Sequence, residues 1–388
     1  MSDSDPQAYR LTIPARINVL GNPTDACEGD FATLSAAVDV YAGAFVEPAD
    51  ALVFETLVRA GDGFETVRRQ AFDASCVPLP YDGGDLDLLK AAANRLHCHS
   101  ASFRAAVARH GVRVAVWSDV PRQSGLGGSS LLVLLALGGL RAAYGLDPRT
   151  HNDYVLAELA QRVEAHELGI TCGFADRYAP LFGGIAYVDY RGKLHQQALG
   201  REPFATYERL DAWIERLPLV VVSTGLARDS GDVHGRMRPR YLEEHAAWVQ
   251  QGGALPPMLG WMNRVWEAAW CGKVALLAGD WETFGALMSE NHRAVDEMMR
   301  YCGFGDGVGQ ANARFIDAAL AHGALGAKLT GAGGGGSVFA LTRPGEEAAL
   351  ADVWRRVAGE AGLSAASIYC PSIARSGLVC RPHCGGRF

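Results

Sequence analysis

Basic charge is in short supply in this 388-residue chain: 36 lysines and arginines face 43 aspartates and glutamates, a formal net charge of −7. A nucleic-acid backbone is bound through a basic face, so this balance argues against DNA or RNA as a partner and leaves room only for a local patch that holds a small anion. Long apolar runs are missing too. The longest, LLVLLALGGL at 131–140, falls well short of the roughly 20 residues of a membrane-spanning helix. The stretch MSDSDPQAYR has neither the basic region nor the apolar region of a secretory signal. These absences lead us to expect a soluble, cytoplasmic protein with small-molecule partners, monomeric or homodimeric, without a membrane or nucleic-acid partner.

A disulfide framework is absent as well. The nine cysteines are odd in number and mostly scattered singly among apolar residues, as suits thiols in a reducing compartment. The tail SGLVCRPHCGGRF brings Cys380, His383 and Cys384 close in sequence, with Cys370 upstream. It has no C-x-x-C pair, so we expect a plain terminal segment, with zinc as the alternative. No repeat of fixed period and no extended low-complexity tract occurs. Two nucleotide signatures are also missing: the P-loop G-x-x-x-x-G-K-[ST] and the Rossmann glycine spacing. A bound nucleotide would have its phosphates held without a P-loop lysine.

What is present is an ordinary globular composition, 49% hydrophobic and 20% charged, in a length that suggests two domains. A composition shift near GREPFATYERLDAW places the boundary around residue 200, giving domains 1–200 and 201–388. Strand character runs through 10–20, SAAVDVYAGAFVEP and GVRVAVWSDVP. Helical periodicity covers 86–110, 129–144 and 153–168. LFGGIAYVDYRGK is expected to form a strand pair, and PLVVVSTG a buried strand opening the second half. Helices are expected over most of 239–322. GAKLTGAGGGGSVFALTR follows as strand, glycine loop and strand. A last helix, 345–361, precedes a short strand near SIYC. The pattern is α+β in two domains, each with one glycine loop.

The first loop, PRQSGLGGSS, ends in Ser129 and Ser130 and runs straight into an apolar helix. Glycines permit positive φ and close approach of a ligand to the backbone, and the free N–H groups of a helix start suit phosphate. The serine hydroxyls can cap that helix or ligate a Mg²⁺ that bridges phosphates. The second loop, GAGGGGS at 331–337, lies between strand-like flanks, so it belongs to a folded unit and not to a linker. Such glycines suit close approach to a ligand or to the other loop. In PARINVLGNPTDACEGD, Arg16 and Asn18 share one face of a strand and Asp25 sits in the turn beyond. In RVEAHELGITCGFADRYAPLFGG, Glu164 falls on a helix and Asp176 follows a glycine-containing loop. Two such carboxylates can divide the labour of binding a metal and orienting a hydroxyl nucleophile. LARDSGDVHGRMRPR carries Arg228, Arg236, Arg238 and Arg240, either a solvated basic face or a group for a carboxylate or phosphate.

Taken in order, these stretches resemble the GHMP kinase family. Its first motif is similar to PARINVLGNPTD, its second, P-x-x-x-G-L-G-S-S, to PRQSGLGGSS, and its third to KLTGAGGGGSVFAL. The second motif departs at Gly128, where the family usually has serine. Within the family the resemblance is nearest to sugar kinases that phosphorylate an anomeric hydroxyl, with PRQSGLGGSS, ELGITCGFADRYAPLFGG and DSGDVHGRMRPR looking like glucuronokinase segments. The resemblance implies two α+β domains, the first like ribosomal protein S5 and the second ferredoxin-like, with the active site in the cleft. It implies ATP and Mg²⁺ as cofactors and a sugar, such as a uronic acid, as substrate. A heptose phosphate, galactose or fucose kinase and a non-catalytic sensor are the alternatives. Asp176 would be the catalytic aspartate and Arg16 its basic partner. Pro121, Gly125, Leu126, Gly127, Gly128, Ser129 and Ser130, with Gly333 and Gly334, would hold the nucleotide. Glu164 and either Ser129 or Ser130 would ligate the metal. Asn22, Asp25, Arg177 and Gly331 would face the substrate.

Overall fold

The computed structural model describes residues 7–121, 124–193, 199–226, 230–331 and 336–383. The first part of the chain runs β1 (Ala8–Leu20), β2 (Ala32–Ala49), β3 (Leu52–Ala60), β4 (Gly63–Phe72), α1 (Asp87–His99), α2 (Ala101–Val107), β5 (Gly111–Ser118), α3 (Gly128–Ala143), α4 (Asp153–Arg162), α5 (Ala175–Phe182), β6 (Ile185–Asp189) and β7 (Thr206–Arg209). The remainder runs β8 (Leu219–Ser223), α6 (Ser230–Gln251), α7 (Pro257–Ala278), α8 (Trp281–Tyr301), α9 (Gln310–Ala321), β9 (Gly326–Thr330), β10 (Ser337–Leu341), α10 (Glu347–Glu360), β11 (Ser367–Tyr369) and β12 (Val379–His383).

Among the described residues two sheets form. The larger is eight-stranded, ordered β12-β1-β2-β5-β3-β4, with β6 paired to β2 and β7 to β6; the smaller is ordered β11-β8-β10-β9. In the larger sheet β3–β5 pair in parallel and the other neighbours run antiparallel. β1 lies between β2 and β12 and is buried from Ile13 to Leu20, polar Arg16 and Asn18 included. Pro14 falls at a register shift between Pro14 and Ala15, where the ladder already tolerates a missing N–H. Beyond that shift, Arg16 and Asn18 are held on one face.

α3 is almost wholly buried on this sheet. Its glycine pair explains how: a Cβ on Gly139 would lie 2.7 Å from Val46 Cγ2 of β2, and one on Gly138 would lie 2.9 Å from Leu378 Cδ2. Small residues there let the helix axis approach the strands. The main core spans both parts of the chain, joining Leu11, Ile17, Leu131 and Leu135 to Phe284, Met288 and Phe339. A second cluster joins Cys27 and Phe31 to α6, α7 and α8, and a third lies under the smaller sheet.

The expected division at residue 200 falls in the loop before β7; β7 then pairs with β6, and β12 returns the C-terminal segment to β1. Several sequence expectations are corrected. LFGGIAYVDYRGK contains one strand, β6; Leu181 and Phe182 close α5, and Gly183 and Gly184, both at positive φ, turn the chain. The 86–110 helix is divided at Ser100, whose hydroxyl accepts from Phe103 N–H (3.0 Å) and caps α2. The β3–β4 hairpin was not anticipated, since β4 is largely exposed and polar. The tail is a strand: Cys380 and His383 sit three residues apart on β12 and so alternate to opposite faces. Cys384 lies outside the described residues, and among those described no cluster of three or more metal-binding side chains occurs. No helix of the described residues is long and apolar enough to cross a membrane.

Candidate active site

Three chain segments meet at Arg16: β1, the first glycine loop and the helix that carries Asp176. Its Nε donates to Asp176 Oδ1 (2.8 Å) and its Nη2 lies 2.5 Å from the same oxygen. Its Nη1 donates to Gly125 O (2.5 Å) in the first glycine loop. Gly127, at φ +86°, stands directly against the guanidinium: an added Cβ would be 3.4 Å from Arg16 Cζ. The arginine is thus committed at one end to the Asp176 carboxylate and at the other to the first glycine loop. Its side chain is 2% exposed, while that of Asp176 keeps 30%, open enough to meet a ligand.

Asp176 sits in the first turn of α5. Burial pushes its pKa up, but the charge and hydrogen bonds of Arg16, the Asn18 amide and the His234 imidazole outweigh burial and hold the carboxyl below its ordinary value. Asn18 Nδ2 donates to Asp176 Oδ1 (3.1 Å). Ser35 Oγ donates to Asn18 Oδ1 (3.0 Å), which fixes the amide so that its NH₂ faces the aspartate. Thr33 and Tyr190 extend this buried chain, with Thr33 Oγ1 3.4 Å from Ser35 Oγ and 3.1 Å from Tyr190 OH.

Asp25 is not the surface turn residue that an isolated reading of GNPTD allows. It is buried and accepts Ala175 N–H at 2.8 Å, so it pins the start of the helix that carries Asp176. Gly173 makes this possible, since a Cβ there would stand 2.0 Å from Asp25 Oδ2. Burial raises the Asp25 pKa, opposed by the Ala175 N–H and reinforced by Asp176.

The start of α3 brings together the expected metal-binding groups. Ser130 Oγ lies 3.3 and 3.2 Å from the two carboxylate oxygens of Glu164, all of them buried. Ser129, one residue earlier, is exposed. Glu164 is carried by a single π-helical turn, Val163–Glu167, that continues α4, where the sequence pointed to an unbroken α-helix. Arg177 is ion-paired with Glu164 and donates to Gly173 O (2.6 Å). It is fully buried in those contacts.

The two glycine loops touch. A Cβ on Gly331 would lie 2.7 Å from Gly125 Cα, and one on Gly125 would lie 2.4 Å from Thr330 O. Leu126 is buried beneath the first loop and Pro121 accepts Ser124 N–H at 3.3 Å. Gly333, Gly334, Arg122 and Arg228 lie outside the described residues. Asn22 Oδ1 accepts from Lys328 Nζ (3.0 Å), which also reaches Asn18 O (3.3 Å) and Leu329 O (3.0 Å). Lys328 was not singled out in the sequence, although a lone cation in the apolar strand GAKLT was a visible signal. The arginines of DSGDVHGRMRPR do not converge. Arg236 pairs with Asp232, Arg240 with Glu244, and Arg238 with Glu28.

Residues 87–184 match the family description "GHMP kinases N terminal domain", and residues 273–359 match "GHMP kinases C terminal". A galactokinase of Thermococcus kodakarensis is 30% identical over 259 residues, covering 62% of this chain and 67% of that protein. The chain belongs to the GHMP kinase family. It is therefore an ATP-dependent kinase, as the three motifs implied. A probable glucuronokinase of Arabidopsis thaliana is 29% identical over 357 residues, covering 88% of this chain and 87% of its own. Among solved structures, Lactococcus lactis galactokinase complexed with galactose superposes with a TM-score of 0.71 at 19% identity, covering 96% of this chain and 95% of that one. At that identity the likeness speaks for the GHMP kinase fold alone.

Proposed function

We propose that this chain is a sugar kinase that phosphorylates the anomeric C1 hydroxyl of a uronic acid, glucuronate being the first acceptor to try. The observation that carries the chemistry is the Arg16 bridge: one guanidinium binds Asp176 and the carbonyl of Gly125, so the group that handles the acceptor hydroxyl and the loop that holds phosphate share one rigid mount. The similarity to a glucuronokinase over 88% of the chain supports the choice of sugar.

Phosphoryl transfer needs in-line alignment and neutralisation of charge more than covalent help. Asp176, ionised at neutral pH, aligns the acceptor hydroxyl and accepts its proton late in the transfer. Arg16 compensates charge as it develops. Gly125 to Gly128 and the N–H groups opening α3 receive the phosphates. Asn22 and Asp25 form the substrate side; of the other two expected there, Gly331 packs on the first glycine loop and Arg177 is engaged by Glu164 and Gly173 O.

The donor set fits Mg²⁺. Two hard oxygen groups, Ser130 and Glu164, sit 3.2 Å apart, close to the ~3 Å between adjacent ligands of an octahedral ion with ~2.1 Å bonds. The exposed Ser129 has no such partner, so Ser130 is the assigned ligand. When bound, the ion neutralises phosphate charge and templates the transfer.

The deciding experiment is ATP consumption with Mg²⁺ against glucuronate, galacturonate, galactose, glucose, mannose, fucose, inositol and a heptose 7-phosphate, with products identified by mass and ³¹P NMR. A sugar 1-phosphate from a uronate establishes the proposal. Turnover of a neutral sugar or the heptose moves the acceptor class, and phosphorylation at another carbon overturns the C1 assignment.

A further inference from the structure

Lys328 is the one charged residue of β9, and it is 1% exposed. Its Nζ donates to Asn22 Oδ1 (3.0 Å), Leu329 O (3.0 Å) and Asn18 O (3.3 Å), and it stands 5.1 Å from the centre of the Phe339 ring. All these partners are neutral. Arg16 has Asp176 and Arg177 has Glu164, but among the described residues no carboxylate pairs with Lys328. The charge that bears on it is that of Arg16, another cation. Taking an ammonium out of water is costly, and proteins ordinarily pair such a charge. Lys328 has its hydrogen bonds and lacks a counter-charge. Its bond to Asn22 also fixes an orientation. An ammonium only donates, so the amide turns Oδ1 to it and Nδ2 away. That Nδ2 donates to no described residue and is not closed off from solvent. The backbone here is pinned from α8: Asn291 Oδ1 accepts Gly21 N–H (2.9 Å) and its Nδ2 donates to Asn22 O (3.4 Å). The same short segment binds Asp176 through Asn18 at one end, and the start of the Asp176 helix through Asp25 at the other.

We infer that Lys328 is the specificity-determining residue that makes the acceptor site prefer a carboxylate: its ammonium is the waiting half of an ion pair, and through Asn22 it holds an amide NH₂ ready for a carboxylate oxygen. This rests on the uronate reading and deepens it by naming the residue that selects the charge. Lys328 acts through Asn22, as a positioning residue, because its own three N–H bonds are already taken. A carboxylate oxygen only accepts, so it matches the amide NH₂ and is attracted by the cation behind it. A hydroxymethyl group accepts the same hydrogen bond but brings no charge, and it leaves the ammonium uncompensated. An anion in place also favours the charged form of the lysine against burial. Nucleotide phosphates are the other source of negative charge near by. The bonds of Lys328 run to Asn18 and Asn22 on the acceptor side and not to the first glycine loop, which favours the acceptor.

The test compares acceptors that differ only at C6, glucuronate with glucose and galacturonate with galactose, on the full-length enzyme. The readout is the ratio of kcat/KM for the acid to kcat/KM for its neutral partner, which a general loss of structure does not move. Lys328→Met is expected to lower that ratio by about 10- to 100-fold, mostly through the KM of the acid, with the ATP KM rising much less. Lys328→Arg keeps the charge and is expected to recover part of the loss. Asn22→Asp sets a carboxylate against the ammonium and removes the NH₂. It is expected to lower the ratio at least as far, and it serves in place of Lys328→Met if that variant does not fold. Where the wild type phosphorylates a uronate, an unchanged ratio in either folded variant overturns this inference alone. A raised ATP KM with an unchanged ratio also overturns it and gives the cation to the phosphates. A wild type that phosphorylates no uronate overturns the uronate reading and this inference together.

Discussion

Gly125 and Gly331, 206 residues apart in sequence by subtraction of their numbers, meet backbone to backbone: a Cβ built on Gly331 would stand 2.7 Å from Gly125 Cα. Gly331 also holds φ at +80°, where a side chain is strained. Each loop therefore buttresses the other, and the pairing admits no larger residue. Gly331→Ala should destabilise the fold by about 1–3 kcal/mol and raise the KM for ATP while leaving that for the sugar nearly unchanged. Thermal unfolding and steady-state kinetics on the same preparation check this. An alanine variant with wild-type melting and ATP KM would show that the loops do not need this contact.

Asp176→Asn should reduce phosphoryl transfer to less than a tenth of wild type, a barrier increase above ~1.4 kcal/mol, with ATP binding retained. Arg16→Met acts on the same carboxyl by another route. Burial pushes the Asp176 pKa up and Arg16 is the largest influence holding it down. The ionised form therefore persists below the ordinary carboxylate range, and activity that needs it is lost only as pH falls through that depressed value. Without Arg16, burial prevails, and the acid limb of the kcat/KM profile should move to higher pH. An acid limb unmoved in Arg16→Met would separate Asp176 from that ionisation.

Ser129 and Ser130 are chemically identical neighbours, yet only Ser130 faces Glu164. Ser130→Ala should raise the Mg²⁺ concentration for half-maximal activity by about tenfold, the scale of one charge-assisted oxygen contact. Ser129→Ala should leave it unchanged. Mg²⁺ titrations at saturating ATP and sugar give the comparison, and the reverse ranking would transfer the ligand to Ser129.

Lys328 is a buried ammonium ringed by Asn18 O, Asn22 Oδ1 and Leu329 O. Burial, with Arg16 nearby, pushes its pKa down to about 7. The unfolded chain, where lysine titrates near ~10.4, then binds more protons than the folded one between those values. Stability must rise with pH across that window, by at most about 3 kcal/mol between pH 7 and 9. The penalty is full below pH 7 and gone above the unfolded value. In Lys328→Met this rise should be absent. Denaturant unfolding of both proteins at the two pH values checks it, and matching slopes would show the lysine to be solvated or fully charged.

How much of this was legible beforehand differs from residue to residue. The glycine loops and the strand carrying Arg16 were readable because each depends on local rules: glycine where backbone must approach, and alternation along a strand; Asp176 was named through the family resemblance. The family followed from their order. The β3–β4 hairpin was not readable, since a half-exposed polar strand has weak periodicity, and β12 was not, since an edge strand in a tail is defined by its partner β1. Lys328 also escaped: a single lysine has no pattern around it.

The sequence alone therefore determined which chemical groups the protein owns and which short segments must bend around a ligand. Those depend on φ, ψ and side-chain type within a few residues. Only the tertiary structure decided which groups share a site. It set Ser130 and not Ser129 against Glu164, placed Asp25 at the head of the helix bearing Asp176, scattered the arginines of α6 into separate ion pairs, and brought Lys328 to the β1 loop. Such choices rest on contacts between residues more than a hundred positions apart, or on the phase of one helical turn, and burial and packing of the whole chain settle them.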